Sequence, residues 1–470
     1  MKKFVLTIPY LLFGMFSYSQ TGCDCPKLLN LVIDKVENEY PGFWDKTKDT
    51  TAYNQFKNEL KKSAQTAIKT NCGDLLNQYC IYFKDRHLGL YKKIITDKKR
   101  TEISSEIFDY DVTKFNKYLT GKPFELEGVW KSGGYMVGIK KQNDSYIGFV
   151  IKSENPSWKE NEIKFKLLDN NKAEYHMGDH SEVNKTYVAL KNCILDFKGE
   201  GNDIVFRKEF PEPIIPKDSL SNYINEIEGF YIRKLSEKTL LFRIASFEYA
   251  EVDRINELIS SNKSTLDTTD NLIIDLRGNG GGTDIAYRPL LPYIFTNPRR
   301  VISGEYLVSQ TLIDNLENWA NTADTLKEAD EILSVRKDIS RMKKNIGKFI
   351  PYSETESYGF SEQDYAVSTY PKNIVVLVDK KSGSSTDNFL LKARQSKKVK
   401  LFGTPSAGVV DYLSLIEFKI GCPEYSLYMP TVRSLRLPEY PLDNIGIQPD
   451  VYMDKFIGDW VEYAKLYLEN

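Results

Sequence analysis

A chain of 470 residues is too long for one hydrophobic core, so two or three domains are expected. Its 41% hydrophobic and 27% charged residues are ordinary for a soluble globular protein. The formal net charge of −1 gives no electrostatic reason to expect a nucleic-acid partner or attraction to an anionic membrane.

The first twenty residues stand apart. Lys2 and Lys3 precede an almost wholly apolar run from Phe4 to Phe16, and the polar stretch Ser17-Tyr18-Ser19-Gln20 follows. That order describes a secretory signal peptide over 1–20, cut near Ser19 or Gln20, and predicts export to the periplasm or beyond the cell. The apolar run is shorter than the roughly 20 residues needed to span a bilayer. A lipoprotein signal would acylate Cys23, but Gln20 stands where such signals carry Leu. No other segment is long and apolar enough to cross, so no stable membrane insertion is expected once the signal is removed.

The chain has six cysteines, Cys23, Cys25, Cys72, Cys80, Cys193 and Cys422. An even number in an exported chain points to disulfides. The expected pattern staples Cys23 and Cys25 to the Cys72–Cys80 segment and pairs Cys193 with Cys422. No paired Cys-x-x-Cys motif or nearby histidine supports zinc, so neither a metal nor a cofactor is expected.

Residues 21–95 read as an N-terminal helical region. Leu28, Leu29, Val32, Ile33 and Val36 recur at three- and four-residue steps, the 53–68 stretch does likewise, and Pro41-Gly42 breaks the pattern. Over 123–210 the texture changes to short alternating runs, at 128–130, 135–140, 146–151, 163–168, 187–190 and 204–207. Turn residues such as Asp169-Asn170-Asn171 join them, which predicts a small antiparallel meander or barrel with Trp130 in its core. Pro211, Pro213 and Pro216 form a linker. From 218 to 470 the pattern is α/β. The runs 271–276 and 373–379 are of the buried parallel-strand type, and 386–396 is helical. The charged 310–345 segment, with Trp319 and Leu333 as apolar markers, reads as a helical insertion that could cover the core. The whole is an α+β multidomain chain.

Four segments could carry chemistry. Asp275-Leu276-Arg277-Gly278-Asn279-Gly280-Gly281-Gly282 follows a buried strand, and its glycines let backbone N–H groups converge on one point. It fits neither the Walker nor the dinucleotide spacing, and an oxyanion hole is the better functional reading. Lys381-Ser382-Gly383-Ser384-Ser385-Thr386-Asp387 sits between a strand and a helix, at the carboxyl edge of a sheet. There the helix dipole favours developing negative charge. Ser384-x-x-Asp387 is also an ordinary capping box. Asp85-Arg86-His87 holds one of only three histidines. Asp443-Asn444-Ile445-Gly446 reads, alone, as a turn. The other histidines, His176 and His180, lie in a turn-like stretch with no third metal ligand and read as a surface loop.

In order, these segments resemble the tail-specific (C-terminal processing) serine proteases. Asp275–Gly282 is similar to the Asp-Leu-Arg-x-Asn-x-Gly-Gly signature, and Ser382–Asp387 to the nucleophile segment with Ser384 at the nucleophile position. Gly403–Gly408 resembles the Gly-Glu-x-Thr-x-Gly segment, and Asn444–Val451 the closing Asn-x-Gly-Ile-x-Pro-Asp-Val. The likeness spans residues 218–460. The resemblance implies a crotonase-like ββα-spiral protease core and a polypeptide substrate.

One departure bears on mechanism. The Ser/Lys branch places lysine one residue after the glycine matched by Gly408, where this chain has Val409. The tricorn-core-like branch instead takes histidine from an upstream Asp/Ser-x-His segment, which Asp85-Arg86-His87 resembles. By that resemblance Ser384 is the nucleophile, His87 the base, and Asp443 the orienting carboxylate, acting directly or through a bridging hydroxyl. The family usually has the longer Glu there. Backbone N–H groups of Ser385 and of Gly280 or Gly281 would form the oxyanion hole. Two other readings stay open: a silent member that binds peptide or a small apolar ligand, and a Ser/Lys enzyme using Lys380 or Lys381.

Overall fold

The computed structural model describes residues 24–67, 71–92, 106–122, 125–200, 203–213, 216–323, 329–352, 358–361, 367–422 and 424–470. The expected signal segment and Cys23 lie outside them. No described helix is long and apolar enough to cross a membrane.

Helices Cys25–Glu39, Phe43–Lys46, Thr50–Thr66 and Cys72–Tyr82 open the chain. Asp24 and Asp49 cap the first and third by accepting from Lys27 N–H at 3.1 Å and Ala52 N–H at 2.9 Å, which satisfies otherwise orphaned donors. The apolar stripe Leu28–Val36 is buried against the other helices. A disulfide joins Cys25 to Cys72. The expected Cys193–Cys422 pair is not formed. Cys193 is a free, buried thiol whose own S–H reaches Leu190 O in a barrel turn. Cys422 is disulfide-bonded, and Cys80 is a second free, buried thiol.

Residues 128–210 close into an eight-stranded antiparallel barrel. Trp130, Phe165, Phe197 and Phe206 fill it, and the Trp130 indole N–H reaches Leu126 O at 3.0 Å. Two of its strands, Lys172–His176 and Ile194–Gly199, were not among the runs read from sequence. His180 stacks on Trp158 with centroids 4.0 Å apart.

The C-terminal region is built on a six-stranded sheet in the order Phe230–Lys234, Thr239–Ile244, Asn271–Asp275, Asn373–Val378, Val399–Gly403, Val451–Tyr452. All neighbours are parallel except the first pair. Alternate residues of the central strands face two separate cores. Leu272, Ile274, Ile374 and Val376 enter one, and Ile273, Val375 and Leu377 the other, under the Trp460–Glu469 helix. Burial on both faces explains why these strands read as unbroken apolar runs.

A second, antiparallel sheet was not legible as a unit. Tyr425–Ser434 is its centre, flanked on one edge by Gly89–Lys92 and Gly304–Leu307 and on the other by Tyr412–Lys419, while Phe349–Pro351 pairs with Gly304–Leu307. Pro430 lies within the central strand, opposite Leu415, and a proline in such a run by ordinary reading rules argues against a central strand. The pairing Gly89↔Tyr428 to Lys92↔Tyr425 ties the N-terminal segment into the C-terminal region. Helices Gln310–Thr322 and Ala329–Met342 occupy most of 310–345 and bury Leu312, Ile313, Ile339 and Met342, whereas Leu333 is 71% exposed.

Two glycines lock the closing segment onto the loop after Val399–Gly403. Gly408 has φ +64°, and a Cβ there would stand 2.1 Å from Leu442 O; Gly446 has φ +76°, with Ser406 O at 2.2 Å. Both the backbone conformation and the space demand glycine. Gly408→Ala is expected to cost ~1–3 kcal/mol and lower the thermal midpoint by several degrees. An unchanged midpoint in calorimetry would refute this account of the junction.

Candidate active site

Two parallel neighbours, Asn271–Asp275 and Asn373–Val378, pair with Asp275 opposite Leu377, so the loops leaving their carboxyl ends emerge side by side. Hydrogen bonds stitch the loops together. Gly278 N–H donates to Asp379 Oδ1 at 2.9 Å, and Gly383 N–H to Asn279 O at 3.1 Å. Thr386 Oγ1 donates to Asn279 within 3.0 Å. Gly281 lies so close that a Cβ there would be 2.5 Å from Gly383 O and 2.8 Å from Ser384 Cβ.

Ser384 takes φ 57° and ψ −119° immediately before the Ser385–Ala393 helix. For a residue with a Cβ this conformation costs on the order of 1–3 kcal/mol and persists only when the surroundings enforce it. Asp387 does so. Its carboxylate, fully buried, accepts Ser384 N–H at 3.0 Å, Val409 N–H at 2.8 Å, Gly408 N–H at 3.4 Å and the Ser406 hydroxyl. The burial pushes its pKa up, and the four donors pull the other way. Asp387 thus does more than begin a helix: it fixes the turn that carries Ser384.

The three serines differ in what their hydroxyls do. Ser382 Oγ donates to Leu276 O at 2.9 Å and Ser385 Oγ to Gly282 O at 2.9 Å. Ser384 Oγ donates to no group among the described residues and lines a cavity of about 1050 Å³. His87 lines the same cavity.

His87 is delivered by the turn between the Cys72–Tyr82 helix and the Gly89–Lys92 strand. Asp85 shapes that turn by accepting His87 N–H at 2.8 Å and the Tyr40 hydroxyl at 2.8 Å. Asn444 Nδ2 donates to Lys84 O at 2.7 Å, so the closing segment holds the same turn. The imidazole is 9% exposed, and its Nδ1 stands 2.7 Å from Tyr412 O. A carbonyl oxygen can only accept, so Nδ1 carries the proton and Nε2 keeps its lone pair. Burial lowers the His87 pKa, against the Tyr412 carbonyl and the Asp443 and Asp387 charges, which raise it.

Asp443 lies near but touches His87 neither directly nor through a hydroxyl among the described residues. Its Oδ1 accepts Asp411 N–H at 3.1 Å, and its Oδ2 faces Lys46 Nζ at 3.5 Å with no hydrogen bond. The shorter Asp side chain stays on that backbone donor, and Tyr412 O occupies the place at Nδ1. Burial first, and then the Asp85 and Asp411 charges, push the Asp443 pKa up to about 7. Asp85 is pushed up to about 6, chiefly by burial.

Among the glycines, Gly281 N–H is already bound to Asn279 Oδ1 at 3.0 Å. Gly280 N–H and Ser385 N–H make no hydrogen bond among the described residues. Val409 stands where the Ser/Lys branch has its base, and its Cγ2 would be 3.6 Å from a Cβ on Gly383. Lys380 and Lys381 are exposed and do not line the cavity. No described residue of 310–345 lines it either. Sequence reasoning missed Tyr412, Lys46 and the role of Asp411. Tyr412 acts through its carbonyl, so no side-chain pattern could have signalled it. Among the described residues no three His, Cys, Asp or Glu side chains gather as a metal site.

Because Asp443 holds a proton up to about pH 7 in the fold but only to about 4 when unfolded, folding takes up a proton between those values. That contribution to stability is full at low pH and is lost as pH rises through 7. Asp443→Asn should therefore raise the thermal midpoint relative to the parent more at pH 8 than at pH 4.5. An equal gain at both would contradict a strained buried carboxylate.

No curated protein sequence matches the chain. Among solved structures, mature CPAF is 13% identical, covers 95% of each chain and superposes with a TM-score of 0.50, which shows a shared fold. The same protein complexed with lactacystin gives 13%, 95% of this chain, 97% of the other and 0.49. The photosystem II D1 C-terminal processing protease gives 10%, 94%, 96% and 0.37. Residues 238–453, which hold the glycine loop, Ser384 and Asp443, match the model of peptidase family S41. That match assigns residues 238–453 to peptidase family S41, the tail-specific proteases, and supports a serine-type peptidase.

Proposed function

We propose that this chain is an exported endopeptidase of the tricorn-core-like branch, which cleaves polypeptides through an acyl-enzyme on Ser384 with His87 as base. The observation that carries the reading is that His87 and Ser384, from remote parts of the chain, line one cavity while Nδ1 of His87 is pinned by Tyr412 O. Nε2 is then the free basic nitrogen, the form that takes a proton from a serine hydroxyl and returns it to the leaving amine. The tetrahedral oxyanion sits between Ser385 N–H, at a helix N-terminus, and Gly280 N–H. The parallel sheet and its crossovers serve as the ββα-spiral core of this branch. The Cys25–Cys72 disulfide and the Lys2–Gln20 pattern support export.

An extended substrate has a natural seat. Tyr412–Lys419 pairs on one edge only among the described residues, and Leu413, Ser414 and Leu415 of that strand line the cavity. A polypeptide can add there as a further strand. The Tyr412 carbonyl sets the His87 tautomer, so Asp443, which stays on Asp411 N–H, is not needed for that task.

A serine-directed phosphonate should label Ser384, and Ser384→Ala or His87→Ala should abolish labelling. Labelling indifferent to His87→Ala would point to lysine, and no labelling of the parent would favour a silent binder. Because burial holds His87 below its ordinary pKa, the acid limb of kcat/KM should have its midpoint below ~6.5. Asp443 is itself protonated through that range, so Asp443→Asn should leave the limb close to its place and cost far less than the ~10⁴-fold seen when a directly bonded triad carboxylate is lost. A 10⁴-fold loss would show that Asp443 bonds the imidazole during turnover.

A further inference from the structure

We infer that this peptidase, on the reading above, selects acidic segments of its substrates, with carboxylate side chains read by an arginine wall about four residues from the scissile bond. Among the described residues, six of the side chains lining the cavity are cationic, Arg288, Arg299, Arg300, Lys392, Arg394 and Arg436, against one carboxylate, Asp284. In a chain of net charge −1 this is a strong local excess.

The excess is not all spent internally. Arg436 is paired with Asp411 at 3.1 Å and Lys392 faces Asp284 at 3.5 Å. Arg288, Arg300 and Arg394 are exposed at the cavity and form no ion pair among the described residues. The main chain of one and the guanidinium of another are held. Gln395 clamps the Arg300 backbone from both sides, accepting its N–H at 2.7 Å and donating to its carbonyl at 3.1 Å. Arg394 Nη1 donates to the Tyr440 hydroxyl at 3.3 Å. The planar guanidinium fork loses less entropy per hydrogen bond formed with a carboxylate than a lysine ammonium does.

The helix sets the distance. Ser385 opens it beside the nucleophile and Arg394 caps its far end, nine residues on, about 14 Å at 1.5 Å per residue. An extended peptide covers that length in about four residues. The same span brings Arg300 into range through Gln395. A carboxylate there meets an unpaired guanidinium, whereas a lysine meets like charge.

Fluorescein-labelled decapeptides of one apolar sequence, acetylated and amidated, carry two Glu, two Gln or two Lys residues near their ends. Their binding is read by anisotropy on the full chain with Ser384→Ala, so no turnover is required. The Glu peptide should bind roughly tenfold tighter than the Gln peptide at low salt and lose that margin as salt rises. Arg300→Gln with Arg394→Gln should bring the ratio close to one. Equal binding of the Glu and Gln peptides, or a preference that survives the double substitution, would overturn the inference. The same peptides given to the native enzyme and followed by mass spectrometry separate the two claims. Selective binding without cleavage strikes the peptidase reading and leaves the acidic preference standing, while cleavage blind to charge does the reverse.

Discussion

The hydrogen bond from His87 Nδ1 to the Tyr412 carbonyl is the contact on which the site depends. It joins a turn near the start of the chain to the first residue of a strand near its end, and it settles the imidazole tautomer without a carboxylate. Around it, the pairing of Gly89–Lys92 with Tyr425–Ser434 and the bond from Asn444 to Lys84 O hold the same turn from two further directions. An imidazole so restrained has little rotamer freedom left to lose when a substrate arrives.

The Ser384 side is built on a different logic. Backbone strain at Ser384 is sustained by a single buried carboxylate, Asp387, which binds the loop before it and the loop beyond the next strand. The glycines are spent on close approach: Gly281 to the Ser384 turn, Gly408 and Gly446 to one another's loops. Each loop therefore braces its neighbour. The cost is paid in burial of charge, since Asp85, Asp387 and Asp443 all sit where the ionised form is disfavoured.

Local signals in the sequence carried far. The two apolar runs at 271–276 and 373–379 were readable because strands buried on both faces need no alternation, and the glycine and serine loops follow them directly. The barrel's alternating runs were readable for the opposite reason. The antiparallel sheet was not, because Pro430 sits inside its central strand, where proline argues against one, and its members come from positions as far apart as 89 and 434. Pairing of distant segments leaves no local trace. The same holds for cysteines: the Cys193 thiol is buried in a barrel turn, and counting could not tell it from a bridged one. Nor could the pattern show that Asp443 stays on Asp411 N–H while a main-chain oxygen takes the imidazole.

The proposed base and nucleophile stand 297 positions apart, and the strand that anchors the base, Tyr425–Ser434, lies beyond the nucleophile. A growing polypeptide therefore carries Ser384 before it owns the scaffold that would arm it. Until nearly all of the chain has emerged and docked, the hydroxyl has no imidazole to meet. Assembly of the proposed pair therefore waits on the last strands of the chain, and an unfinished molecule lacks it.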